Sequence, residues 1–95
     1  MSKKINIYKV IEEVQNSYNL LWEREEGNIC VDTQTENYSL TICKHTGINK
    51  ISYYIHSNEN YLEDHCSPSK DQEAYASLIQ IYDYADQNAI NQKTA

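Results

Sequence analysis

The stretch from residue 29 to residue 56 constrains the fold most, because its apolar residues recur at every second position in three successive runs. Ile29 and Val31 alternate with Cys30 and Asp32. Tyr38, Leu40 and Ile42 alternate with Ser39, Thr41 and Cys43, and Ile51, Tyr53 and Ile55 alternate with Ser52, Tyr54 and His56. Period two in β-branched and aromatic residues is the pattern of a strand with one buried face. Thr35-Glu36-Asn37 and His45-Thr46-Gly47 read as turns. Connections this short join antiparallel neighbours, so the run predicts a meander. Ser57 to Asn60 is a further turn, and Tyr61 to Cys66 reads as loop or a short edge strand.

Helical signals bracket this run. Ile7, Ile11, Val14 and Tyr18, with Val10 alongside, place one apolar stripe on a helix over residues 5–16. Asn16-Ser17-Tyr18-Asn19 are weak helix formers and end it. Residues 19–26 fit two patterns. As a strand, Tyr18, Leu20, Trp22 and Arg24 share a face, and the hairpin signal Gly27-Asn28 that follows favours that reading. At the other end, Ser67-Pro68 offers an N-cap with proline at the first helical position, and Ser69 with Gln72 offers a capping box. Ala74, Tyr75, Leu78, Ile81, Tyr82 and Ala85 then form a stripe up to a helix end near Asn88. The expectation is one small α+β domain over residues 1–95. Its order is helix, three- or four-stranded antiparallel meander, helix, with both helices on one sheet face and residues 1–4 and 89–95 frayed.

Chemical signatures are sparse. The two glycines, Gly27 and Gly47, make no phosphate-binding glycine loop. No apolar run approaches the roughly 18–20 residues that span a bilayer. MSKKINIYKV is basic but leads into no apolar segment, so export is not expected, and the three cysteines read as reduced thiols of a cytoplasmic protein. Cys43, His45, His65 and Cys66 are a chemically sound ligand set for tetrahedral zinc. They lack Cys-x-x-Cys and His-x3-5-His spacing, however, and His65 and Cys66 are adjacent. The plainer reading makes Cys30 and Cys43 small apolar residues of the sheet and the histidines surface residues. Cys66, just before a helix, is a weak candidate nucleophile, because nothing nearby supplies an oxyanion hole. No catalytic residue, metal or cofactor is therefore expected.

Charge and aromatic content remain. The net charge is −6, and the chain has nine tyrosines, one tryptophan and no phenylalanine. Lys3, Lys4 and Lys9 make the first nine residues basic. Seven acids face Arg24 alone between Val10 and Cys43, and seven face Lys70 alone between Ile51 and Gln92. Such a body attracts basic partners and repels nucleic acid and anionic membrane. Carboxylates pair with Lys and Arg, and boundary tyrosines serve as rigid interface anchors. Three segments are candidate partner-binding surfaces: Glu23, Glu25 and Glu26; Glu59, Tyr61, Glu63 and Asp64; and Asp83, Tyr84 and Asp86. In size, charge and helix–sheet–helix plan the chain resembles small acidic phage inhibitors of bacterial defence, including anti-CRISPR proteins. That resemblance implies a non-catalytic inhibitor that caps a basic, nucleic-acid-binding host protein, its carboxylates standing in for phosphates. No motif carries it, so no residue role is transferred. An immunity or antitoxin protein against a basic nuclease would use the same surface. A small Cys/His metal-binding domain is the reading from another class.

Overall fold

The structure, a computed structural model, describes residues 5–17, 19–25 and 29–92. It is a small α+β fold with two helices and a sheet whose first five strands are antiparallel. Helix α1 spans Ile7–Asn16 and helix α2 spans Gln72–Asn88. The strands are β1 Glu23–Glu25, β2 Cys30–Gln34, β3 Ser39–Lys44, β4 Ile51–Ser57, β5 Asn60–Cys66 and β6 Ile90–Gln92. Their order across the sheet is β5-β4-β3-β2-β1-β6.

The meander forms where the period-two pattern puts it. Val31, Leu40, Ile42, Ile51, Tyr53 and Ile55 are all buried and join Val10, Ile11, Val14, Leu78, Ile81 and Tyr82 in one cluster. Both helices therefore cover the same sheet face. Each fully buried Leu, Ile or Val contributes about 1.5–3 kcal/mol. Ile29 departs from the expected alternation: it stays 44 % exposed ahead of β2, and Thr33 takes the second inward position, its hydroxyl donating to the Leu21 carbonyl at 2.8 Å.

Four further expectations are corrected. The sheet exceeds three or four strands, because Tyr61 to Cys66 takes the edge-strand alternative rather than the loop, and at greater length than expected. It belongs to the seven-residue β5, paired with β4 from Ser57↔Asn60 to Ile51↔Cys66. Its inward residues include only Leu62 and Cys66 as apolar side chains, so period two is faint there. Residues 90–92 do not fray but lie parallel to β1, Glu23↔Ile90 through Glu25↔Gln92; residues 93–95 and 1–4 lie outside the described residues. Helix α1 begins at Ile7 rather than Ile5, because the Asn6 side chain accepts the Tyr8 N–H at 2.9 Å. Helix α2 is capped by Asp71, which accepts the Ala74 N–H at 3.1 Å. Ser67 and Pro68 sit instead in a preceding turn, where Lys70 and Asp71 N–H groups donate to the Ser67 carbonyl. A carboxylate at the N-cap also meets the helix dipole, an advantage a serine lacks.

In the ambiguous stretch the strand reading holds for Glu23–Glu25. Asn19 has a φ of 60°, and Leu20 packs against the core beside the buried Trp22. Tyr18, Glu26, Gly27 and Asn28 lie outside the described residues.

Candidate interaction face

With both helices on one side, the other sheet face has no described element packed on it. Side chains alternate along a strand, and register fixes what lies opposite what. One row crosses the face as Glu23, Asp32, Thr41, Tyr54 and Glu63, following the pairs Glu23↔Asp32, Asp32↔Thr41, Thr41↔Tyr54 and Tyr54↔Glu63. A second row is Gln34, Ser39, His56 and Tyr61, and a third is Cys30, Cys43, Ser52 and His65. None of these thirteen positions is Lys or Arg. Glu23 and Glu63 stand four strand spacings apart, roughly 19 Å.

Local contacts order this face. The Tyr61 hydroxyl donates to Glu63 Oε1 at 2.9 Å, and its ring lies 4.4 Å from the His56 ring, centroid to centroid. Partial desolvation and the bond to Glu63 raise the Tyr61 pKa. His45 Nε2 lies 2.7 Å from Ser52 Oγ. Tyr61 remains 51 % exposed, enough to meet a partner.

Asp64, Asp83 and Asp86 are held by ion pairs of their own. Asp64 points to the helix side, accepts the His65 N–H at 2.8 Å and pairs with Lys70 at 3.0 Å. These bonds hold its carboxyl below the usual range, the His65 N–H contributing most. Asp86 forms an ion pair with Arg24, whose guanidinium also reaches the Asp86 carbonyl at 2.8 Å. Asp83 lies 3.8 Å from Lys44. Tyr84 is 63 % exposed and lines an apolar groove of about 310 Å³ with Val14, Leu20, Trp22 and Ile81. The helix segment Asp83–Asp86 is thus on a different surface from the sheet rows. Glu59 is exposed in the β4–β5 loop, Glu25 lies in β1, and Glu26 is outside the described residues.

The four Cys/His residues do not converge. Cys43 is bonded to Cys30 in a disulfide between facing positions of β2 and β3, with Cα atoms 4.0 Å apart. This corrects the expectation of reduced thiols and of two small apolar side chains. Cys66 lies on the opposite sheet face, buried, with its thiol 3.4 Å from the Asp71 carbonyl. Desolvation raises its pKa, the reverse of what a nucleophile at a helix start needs. No group of three or more metal-binding side chains exists among the described residues.

The rows were hidden from the sequence because Asp32, Thr41 and Tyr54 matter only through register. In the sequence Asp32 is only the polar member of an alternation and one acid among seven. No protein-family model, curated protein or solved structure matches the chain.

Proposed function

We propose that this is a non-catalytic interaction protein that uses the uncovered sheet face to bind and inhibit a basic, nucleic-acid-binding protein, in the manner of small anti-defence inhibitors. The observation that supports it is the cross-sheet row of Glu23, Asp32 and Glu63, on a face whose described strand positions carry no Lys or Arg, next to the exposed anchor Tyr61. Spread carboxylates suit a flat cluster of Lys and Arg, and Tyr61 supplies the rigid apolar contact. Glu59, exposed in the β4–β5 loop, borders this surface and extends it. Asp64, Asp83, Tyr84 and Asp86 stand outside it. The acids are unevenly spaced, so the face suits patch-to-patch contact better than tracking of a regular phosphate backbone. A cytoplasmic site of action would hold Cys30 and Cys43 as thiols, whereas an oxidising compartment would keep the disulfide; a free-thiol count on protein from its native source separates the two.

The test is competition. A partner recovered by pull-down is titrated with the protein in the presence of that partner's nucleic acid. Mutual exclusion supports inhibition at the nucleic-acid site; a ternary complex contradicts it.

A further inference from the structure

Strand β5 ends the sheet, and its outer edge is only partly blocked. Register closes the β4–β5 hairpin at Ser57↔Asn60 around a two-residue loop, with Asn58 at a φ of 56°. The closing pair of such a hairpin is hydrogen-bonded, and bonded and non-bonded pairs then alternate. The backbone groups of Tyr61, Glu63 and His65 consequently point away from β4. The side-chain contacts agree: the His65 N–H donates to Asp64 Oδ1 at 2.8 Å, and its carbonyl accepts from Lys70 Nζ at 3.0 Å. One end of the edge is therefore occupied by the chain's own Asp64 and Lys70. The N–H and C=O groups of Tyr61 and Glu63 have no such cover among the described residues.

We propose that this short edge accepts an extended basic segment of the partner as an added strand. The proposal rests on the acidic-binder reading and specifies its geometry. Two outward residues offer four backbone hydrogen-bonding groups, and side chains of the added strand on the uncovered face would lie beside Tyr61 and Glu63. Lys or Arg fits there, because Glu63 and the loop residue Glu59 are exposed carboxylates. A second copy of this chain fits worse. Facing β5 edges would align these same free groups only with Tyr61 opposite Glu63, and would bring together two bodies of charge −6. Asp64 and Lys70 set the register by stopping the added strand before His65.

The experiment uses a blocked synthetic peptide of alternating Lys or Arg and Val, followed by amide exchange and amide chemical shifts of the whole protein. A second peptide carries N-methyl groups on the amides that would face β5. The expected result is slowing of exchange at the Tyr61 and Glu63 N–H groups by about tenfold or more, lost with the N-methylated peptide. Glu63→Pro, which removes an outward N–H without touching the β4 ladder, should abolish binding, while Glu63→Gln should weaken it only severalfold. Binding that perturbs Glu23, Asp32 and Tyr54 and is indifferent to N-methylation overturns the strand addition and leaves the acidic face standing. Absence of any binding up to saturating peptide overturns both. A dimer of the protein alone, with Tyr61 and Glu63 already protected, assigns the edge to a second copy and contradicts the proposal.

Discussion

Asp71 does two things at once. It caps helix α2 through the Ala74 N–H and receives the Tyr8 hydroxyl from helix α1, tying the two helices at one end. The Tyr8 bond and the cap lower the Asp71 pKa, and the same bond pushes the Tyr8 pKa up to about 12. Burial, with the nearby Asp64 carboxylate second, pushes Tyr53 to about 12 as well. Both phenols are raised above the ordinary 10.0, so the stability they contribute is full below pH 10 and is lost as pH rises toward 12. Denaturant unfolding followed across that window should show falling stability, and Tyr8→Phe should flatten part of the fall. Asp64 and Asp71 work in the opposite sense. Their pKa values lie below the ordinary 3.8, so their contribution is present above that pH and is lost as the pH drops below it. Denaturant unfolding between pH 5 and pH 2 reads this, and Lys70→Ala should shrink the Asp64 share.

At the scale of elements, the cap shows what sequence could and could not decide. Ser67, Ser69 and Asp71 are all acceptable N-caps, and the local pattern does not rank them. Long-range contacts rank them: Tyr8 reaches Asp71, and Pro68 is used in the turn that lets the chain leave β5. Asp71→Ala should cost about 1 kcal/mol, whereas Ser69→Ala should cost almost nothing. The apolar stripe of α2 was legible because five of its six residues, Ala74, Leu78, Ile81, Tyr82 and Ala85, are buried. Tyr82 also donates its hydroxyl to the Ile29 carbonyl at 2.7 Å, which anchors the start of β2. Tyr82→Ala should cost about 3–5 kcal/mol, and Tyr82→Phe about 1 kcal/mol. Asp83→Ala, on the exposed side, should cost under about 0.5 kcal/mol. Chemical denaturation of the five variants checks all these values. Strand β5 was legible only as one of two alternatives, and β6 not at all, for a physical reason. An edge strand buries one side of a few residues, and three-residue β6 is held by pairing with β1, a partner 67 positions away by register.

For the whole molecule, the acidic total was visible in the sequence, but its arrangement was not. The three candidate segments divide between surfaces once register is known: Glu23 and Glu63 share a row, Asp64 turns to the helix side, and Asp83 and Asp86 sit near Lys44 and Arg24. Asp32 joins the row although no run of acids marked it. Charge near an interface acts mainly on the association rate and on its dependence on salt. The decisive measurement is therefore the association rate with the basic partner at low and moderate salt. It compares a face variant, Glu23→Lys with Asp32→Lys and Glu63→Lys, with a control of equal charge change, Glu12→Lys with Glu73→Lys and Asp83→Lys. If the uncovered sheet face is the binding surface, the face variant associates at least about tenfold more slowly and loses most of the salt dependence, while the control changes far less. Equal slowing in both variants would show that only net charge matters, and that result would contradict the assignment of the face.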